Sequence, residues 1–79
     1  MIRKYIDNAL AVAKYERLED GTLVATVRGL RGVVAIGRSM KVCRAQLAEV
    51  VEEWILVRVA RGREVPKLRG VTVRVRRAG

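Results

Sequence analysis

Tyr15-Glu16-Arg17-Leu18-Glu19-Asp20-Gly21-Thr22-Leu23-Val24-Ala25-Thr26-Val27 decides how the rest of the chain folds. Ahead of the turn, Ala13 and Tyr15 face one way and Lys14 and Glu16 the other; after it, Leu23, Ala25 and Val27 alternate with Thr22, Val24, Thr26 and Arg28. Alternation with a period of two marks a half-buried strand. Asp20-Gly21 sits between the two runs, and Asp-Gly there is the strongest short hairpin signal, because both residues tolerate the positive φ of a tight primed turn. A strand over about 11–18 is therefore expected to turn straight back into a second one.

Downstream, Gly29-Leu30-Arg31-Gly32 supplies another turn, and residues 33–37 form a nearly all-apolar run. Such a run is expected of a strand covered on both faces. Three short strands joined by tight turns make an antiparallel meander. Ser39 then suits the N-cap of a helix, where its hydroxyl accepts from an orphan backbone N–H of the first turn. Met40, Cys43, Leu47, Val50, Trp54 and Val57 recur at alternating steps of three and four, and Ala48, Val51 and Ile55 widen the stripe. An apolar arc that broad implies a second partner surface besides the sheet. Glu49, Glu52 and Glu53 mark the wet side, Gly62 fits a left-handed position after the helix, and Pro66 blocks continuation, so the helix is predicted to end near Arg61.

At the start, Ile2, Tyr5, Ile6, Ala9 and Leu10 fall on one helical face; at the end, Val71, Val73 and Val75 alternate with Thr72, Arg74 and Arg76. The expectation is a single α+β domain over residues 1–79. Its order is a short N-terminal helix, a three-stranded antiparallel meander, one long helix and one C-terminal strand (α-β-β-β-α-β). No internal repeat, linker or separate DNA-binding segment is visible.

Composition removes most chemistry. The 79 residues contain no histidine and one cysteine, Cys43. The usual general base, the commonest metal ligand and the Ser-His and Cys-His pairs are thereby excluded, as are a disulfide and a cysteine zinc site. Glu16, Glu19 and Asp20 are the clustered carboxylates outside the long helix, but they lie along one strand and its turn. A two-metal nuclease needs carboxylates converging from different strands at a metal spacing of about 4 Å. The glycines lack dinucleotide or P-loop spacing, and Cys43 occupies an apolar position of the helical repeat, so a buried thiol is expected. No cofactor, no metal and no catalytic residue is assigned; the chain reads as a binding protein.

Charge and size suggest partners. The net charge is +9, and between Trp54 and Gly79 eight basic residues face Glu64 alone. Such a field attracts polyanions at low salt, although a solvated basic surface accounts for it equally. Stacking platforms for single strands need several exposed aromatics; this chain has Tyr5, Tyr15 and Trp54, with Trp54 expected as a core or interface anchor. A short chain buries little of its surface, so self-association is expected. No segment approaches the roughly 20 apolar residues of a membrane span, and the first residues lack a signal-peptide pattern, so the expected location is the cytoplasm, away from membranes.

The hairpin stretch quoted above resembles the opening of HicB-like antitoxin domains. Leu30-Arg31-Gly32-Val33-Val34-Ala35-Ile36-Gly37-Arg38-Ser39 is similar to their Leu-Pro-Gly turn, third strand and Gly-x-Ser/Thr approach to the helix. Val51-Glu52-Glu53-Trp54-Ile55 and Gly62-Arg63-Glu64-Val65-Pro66 resemble the family's helix end and Gly-x-x-Ile/Val-Pro exit. The match covers about residues 10–75, with Asp20, Gly21, Gly32, Gly37, Ser39, Trp54, Gly62 and Pro66 as signature positions. Three positions depart from the pattern: Arg28 and Arg31 stand where the family often has Pro, and Val42 stands where it usually has the Glu of a capping box.

The resemblance implies a partial RNase H-like fold without its active site, assembly into dimers or tetramers, and occlusion of a small HicA-type toxin ribonuclease. A basic toxin would be opposed by the chain's own positive charge. The expected function is a non-catalytic antitoxin-type interaction domain, self-associating through Leu47, Val50, Val51, Trp54 and Ile55 and through sheet edges. The alternative is a small basic RNA-binding module using Arg58, Arg61, Arg63, Arg69, Arg74, Arg76 and Arg77.

Overall fold

The computed structural model describes residues 2–68. Helix α1 (Ile2–Val12) is followed by strands β1 (Lys14–Arg17), β2 (Leu23–Thr26) and β3 (Val34–Gly37), and then by helix α2 (Met40–Ala60). The strands form an antiparallel sheet in the order β1-β2-β3. This is the α+β arrangement of short helix, meander and long helix that the sequence predicts. The C-terminal strand expected over 71–75 lies outside the described residues.

Helix α1 runs further than its apolar pattern suggested. Ala11 and Val12 belong to its last turn, and β1 begins only at Lys14. The Tyr15 hydroxyl explains the boundary: it donates to the Leu10 carbonyl at 3.0 Å, one of the carbonyls that the helix end leaves without an internal partner.

The hairpin also differs in detail. Leu18 N–H donates to Thr22 O (2.7 Å) and Gly21 N–H to Leu18 O (2.9 Å), which leaves Glu19, Asp20 and Gly21 as a three-residue loop. This is the pattern of a type I turn closed by a left-handed residue, here Gly21 at φ 87°, instead of a two-residue primed turn. Asp20 Oδ1 accepts from the Thr22 amide at 2.9 Å, so the aspartate side chain braces the turn.

Between β2 and β3 two turns run back to back. Leu30 N–H donates to Val27 O and Val33 N–H to Leu30 O, with Gly29 at φ 93° and Gly32 at φ 81° in the third position of each turn. Positive φ there is the mark of a type II turn, whose second position favours proline. Those second positions are Arg28 and Arg31, the two places where the resemblance leads one to expect Pro.

One face of the sheet carries α2. Leu23, Ala25, Ala35 and Gly37 are buried on the sheet side, and Cys43, Leu47, Val51 and Ile55 on the helix side. The buried helical row thus advances in steps of four, which corrects the three-four stripe expected from the sequence: Met40 and Val57 are exposed, and Val50 and Trp54 are only half-buried. A row of every fourth residue leans across the helix axis, so it follows the oblique line of contact that a twisted sheet presents. Ser39 caps α2, its Oγ accepting from Val42 N–H at 3.2 Å, and Gly62 follows the helix at φ 69°. A Cβ on Gly37 would lie 2.7 Å from Cys43 Cα, so strand and helix backbones touch there with no room for a side chain.

Helix α1 packs on α2 with Tyr5 and Ala9 buried and Ile2, Ile6 and Leu10 beside them. The segment after α2 returns to α1. The Tyr5 hydroxyl donates to Pro66 O at 2.6 Å, Asn8 Nδ2 donates to Leu68 O at 3.3 Å, and Val65 and Leu68 join the core.

Candidate functional site

Pairing in the meander sets two rows of side chains on the sheet face that α2 does not cover. Glu16, Val24 and Ile36 form one row and Lys14, Thr26 and Val34 the other, since Glu16 pairs with Val24 and Val24 with Ile36, and Lys14 with Thr26 and Thr26 with Val34. Val34 is 48% exposed and Ile36 57%. The expectation that residues 33–37 form a strand covered on both faces is therefore corrected: within the chain, only Val33, Ala35 and Gly37 are buried. Among the described residues, the outer edge of β3 has no strand beside it.

Of the interface residues expected on α2, Leu47, Val51 and Ile55 are 0% exposed and belong to the chain's own core. Val50 and Trp54 remain partly accessible. Exposed apolar side chains occur instead at the two ends of the helix, Met40 and Val42 at the start and Leu56 and Val57 near the close. Exposed Gln46, Glu49, Glu52 and Glu53 lie between them. Sequence reasoning missed Val34 and Ile36 because an unbroken apolar run carries no mark of which residues face water.

A groove of about 490 Å³ runs along the α1–α2 contact, with Ile2, Ile6, Leu10 and Ala48 along it and Arg3, Asp7, Glu49 and Glu52 beside them. Among the described residues no group of three His, Cys, Asp or Glu side chains could hold a metal ion. Cys43 is fully buried, its Sγ 3.8 Å from Leu23 O and 3.9 Å from Ala35 O, enclosed between helix and sheet. The Thr22 backbone amide, and then its side chain, hold the Asp20 carboxyl below the ordinary carboxylate range. Burial pushes the Tyr5 phenol up, and the nearby Arg58 charge partly opposes that. Neither group lines the groove between α1 and α2.

The other concentration of polar chemistry is at the far end of α2. Trp54 Nε1 donates to Arg31 O at 3.0 Å, the Arg58 guanidinium lies 4.7 Å from the centre of the Trp54 ring, and Arg58 Nε donates to Glu64 O at 2.9 Å. Trp54 is thus an anchor between helix and loop, with its N–H satisfied and a cation over its face. Arg61 and Arg63 are exposed next to it, as are Arg28 and Arg31. Arg69, Arg74, Arg76 and Arg77, the remaining expected contacts, lie outside the described residues.

A family model described as UPF0150-like matches residues 4–66. The fold is similar to the crystal structure of TTHA0281 from Thermus thermophilus, with a TM-score of 0.86, 32% sequence identity, and coverage of 96% of this chain and 95% of that one. No curated protein matches the chain. Among the described residues, no helix is long and apolar enough to cross a membrane.

Proposed function

The chain belongs to the UPF0150-like family, and from that premise we propose that it is a HicB-like, antitoxin-type interaction domain without catalytic activity. It self-associates, and it binds and occludes a small toxin ribonuclease of the HicA type. The observation that carries this reading is the outer face of the sheet, which no element covers among the described residues. Val34 and Ile36 stand exposed on the edge strand β3, beside Val24, in a chain whose other sheet face is closed by α2. Apolar side chains grouped on an open edge are a template for another chain.

The test is the mass of the protein in solution. Size exclusion with light scattering at tens of micromolar is expected to give a dimer or tetramer, and Val34→Lys/Ile36→Lys a monomer of unchanged fold. A monomeric parent protein sinks the self-association part. For the toxin, growth arrest by a small co-expressed ribonuclease of the HicA type is expected to be relieved by the parent chain. Arrest that persists with the protein abundant and folded sinks that part.

A further inference from the structure

We infer that the arginine-rich end built by the β2–β3 connection and the last turn of α2 binds the phosphodiester backbone of nucleic acid. This site does not depend on the interaction reading above, and it includes Arg28 and Arg31, which nothing in the alternation or spacing of the sequence singled out.

The backbone at Arg31, Arg61 and Arg63 and the side chain of Arg58 are held on one frame. Arg31 is tied to Trp54 through its carbonyl, Trp54 carries Arg58 on its ring, and Arg58 is bonded through Nε to Glu64 O and through its own carbonyl to Arg63 N–H at 2.8 Å. Arg61 is the C-cap residue between them, and Arg28 belongs to the turn preceding Arg31. Among the described residues none of these five arginines is in an ion pair; the one ion pair there is Lys14–Glu16, at 3.7 Å. Glu64 is the single carboxylate in the stretch 58–64. Arginines at the end of a helix do complement the negative end of its dipole, but that amounts to about half a charge, well short of five.

Planar guanidinium forks match phosphate oxygens two at a time, and a group of them carried on two elements suits a polymer of phosphates better than one isolated anion. The same geometry argues against reading bases. Trp54 spends its N–H on Arg31 and one ring face on Arg58, and a single half-buried ring is short of the several exposed aromatics that a stacking platform needs. Contacts of this type position a duplex without selecting its sequence.

The experiment is a fluorescence-anisotropy titration of the full chain against a labelled 20-base-pair RNA duplex and a DNA duplex of the same sequence, at several salt concentrations near 50 mM. The variants are Arg28→Gln/Arg31→Gln and Arg61→Gln/Arg63→Gln, with Arg3→Gln/Lys4→Gln on α1 as the control of equal charge change. Each arginine that touches a phosphate contributes about 0.9 to the salt slope and about tenfold in affinity at 50 mM. Both arginine variants are therefore expected to lose tenfold or more and to have a shallower salt slope, while the control stays within about twofold and Glu64→Gln binds more tightly. Thermal unfolding of each variant confirms that the fold is intact; the Arg31 carbonyl that holds Trp54 is backbone and survives substitution.

Equal losses from the control would reduce the effect to diffuse charge and overturn the site. So would undiminished binding by both arginine variants, or binding to vesicles of phosphatidylserine and phosphatidylcholine with none to either duplex. Loss on RNA and DNA alike identifies the shared backbone as the ligand, whereas loss on RNA alone assigns the 2′-hydroxyl a part in it.

Discussion

The two faces of the sheet come from the same three strands and obey opposite rules. The face under α2 is made of small side chains, Ala25, Ala35 and Gly37 with Leu23, and is shut. The outer face carries the bulkier Val24, Val34 and Ile36 and is open. Small residues let the helix backbone come into contact with the strand, so a single row of Cys43, Leu47, Val51 and Ile55 seals the inside. On the strands, burial is achieved by closeness of small residues, while Val34 and Ile36 remain exposed. The lesson is that the apolar content of a strand does not tell which face is the core.

The sharpest way to break the comparison is at its closest point. Gly37→Ala places a methyl against the Cys43 backbone and is expected to destabilise by about 3 kcal/mol, the upper end for overpacking, read from the urea midpoint at constant slope. A change below about 1 kcal/mol, the lower bound for such substitutions, would show that strand and helix part easily and that the inner face is not set by contact.

Helix α1, packed on α2, is held by polar bonds to the segment after α2 as well as by shape. Tyr5→Phe is expected to lose about 1 kcal/mol, the net worth of one hydrogen bond. Its pH dependence carries a sign. The folded-state phenol is raised above its ordinary value of 10.0 by burial, so its contribution is intact below that value and is lost as pH rises through the folded value, where the unfolded chain has already released its proton. Stability measured between pH 9 and 11 is expected to fall less steeply in Tyr5→Phe than in the parent; parallel curves would remove the burial argument.

Smaller effects test the connection between the faces. Arg31→Pro and Arg28→Pro each restrict the unfolded chain at a turn position suited to proline, and each is expected to stabilise by about 0.5 kcal/mol. Neither N–H is used in a hydrogen bond among the described residues. A loss of stability would mean that the turns are not of type II. Last, Ile36→Thr on the open face is expected to stay within about 0.5 kcal/mol at low protein concentration, as exposed substitutions do. The deficit should grow with concentration if a second copy covers that face in the folded state.

Much of the fold was legible in local chemistry. Alternation around Asp20-Gly21 gave the hairpin, Ser39 the start of α2, and Gly62 its end near Arg61, because each depends on a few neighbouring atoms. What escaped depends on contacts distant in sequence. The alternate residues of 33–37 are equally apolar, so the outward direction of Val34 and Ile36 is set only once the helix chooses a face. The buried row of α2 could not be told from the three-four stripe, because both are apolar and sheet twist decides between them. Arg28 and Arg31 read as turn residues, and only the reach of Trp54 to the Arg31 carbonyl brings the second of their turns to the end of α2 that carries Arg58.

The bond from Tyr5 to Pro66 joins residues 61 positions apart. Closing so long a loop is entropically slow compared with forming a hairpin and the helix that follows it. The meander and α2 can therefore assemble first, with the clasp between the opening helix and the segment after α2 fastening afterwards. Hydrogen exchange should then show the amides of α1 opening ahead of those of β2, and trimming at either side of the clasp should loosen the other.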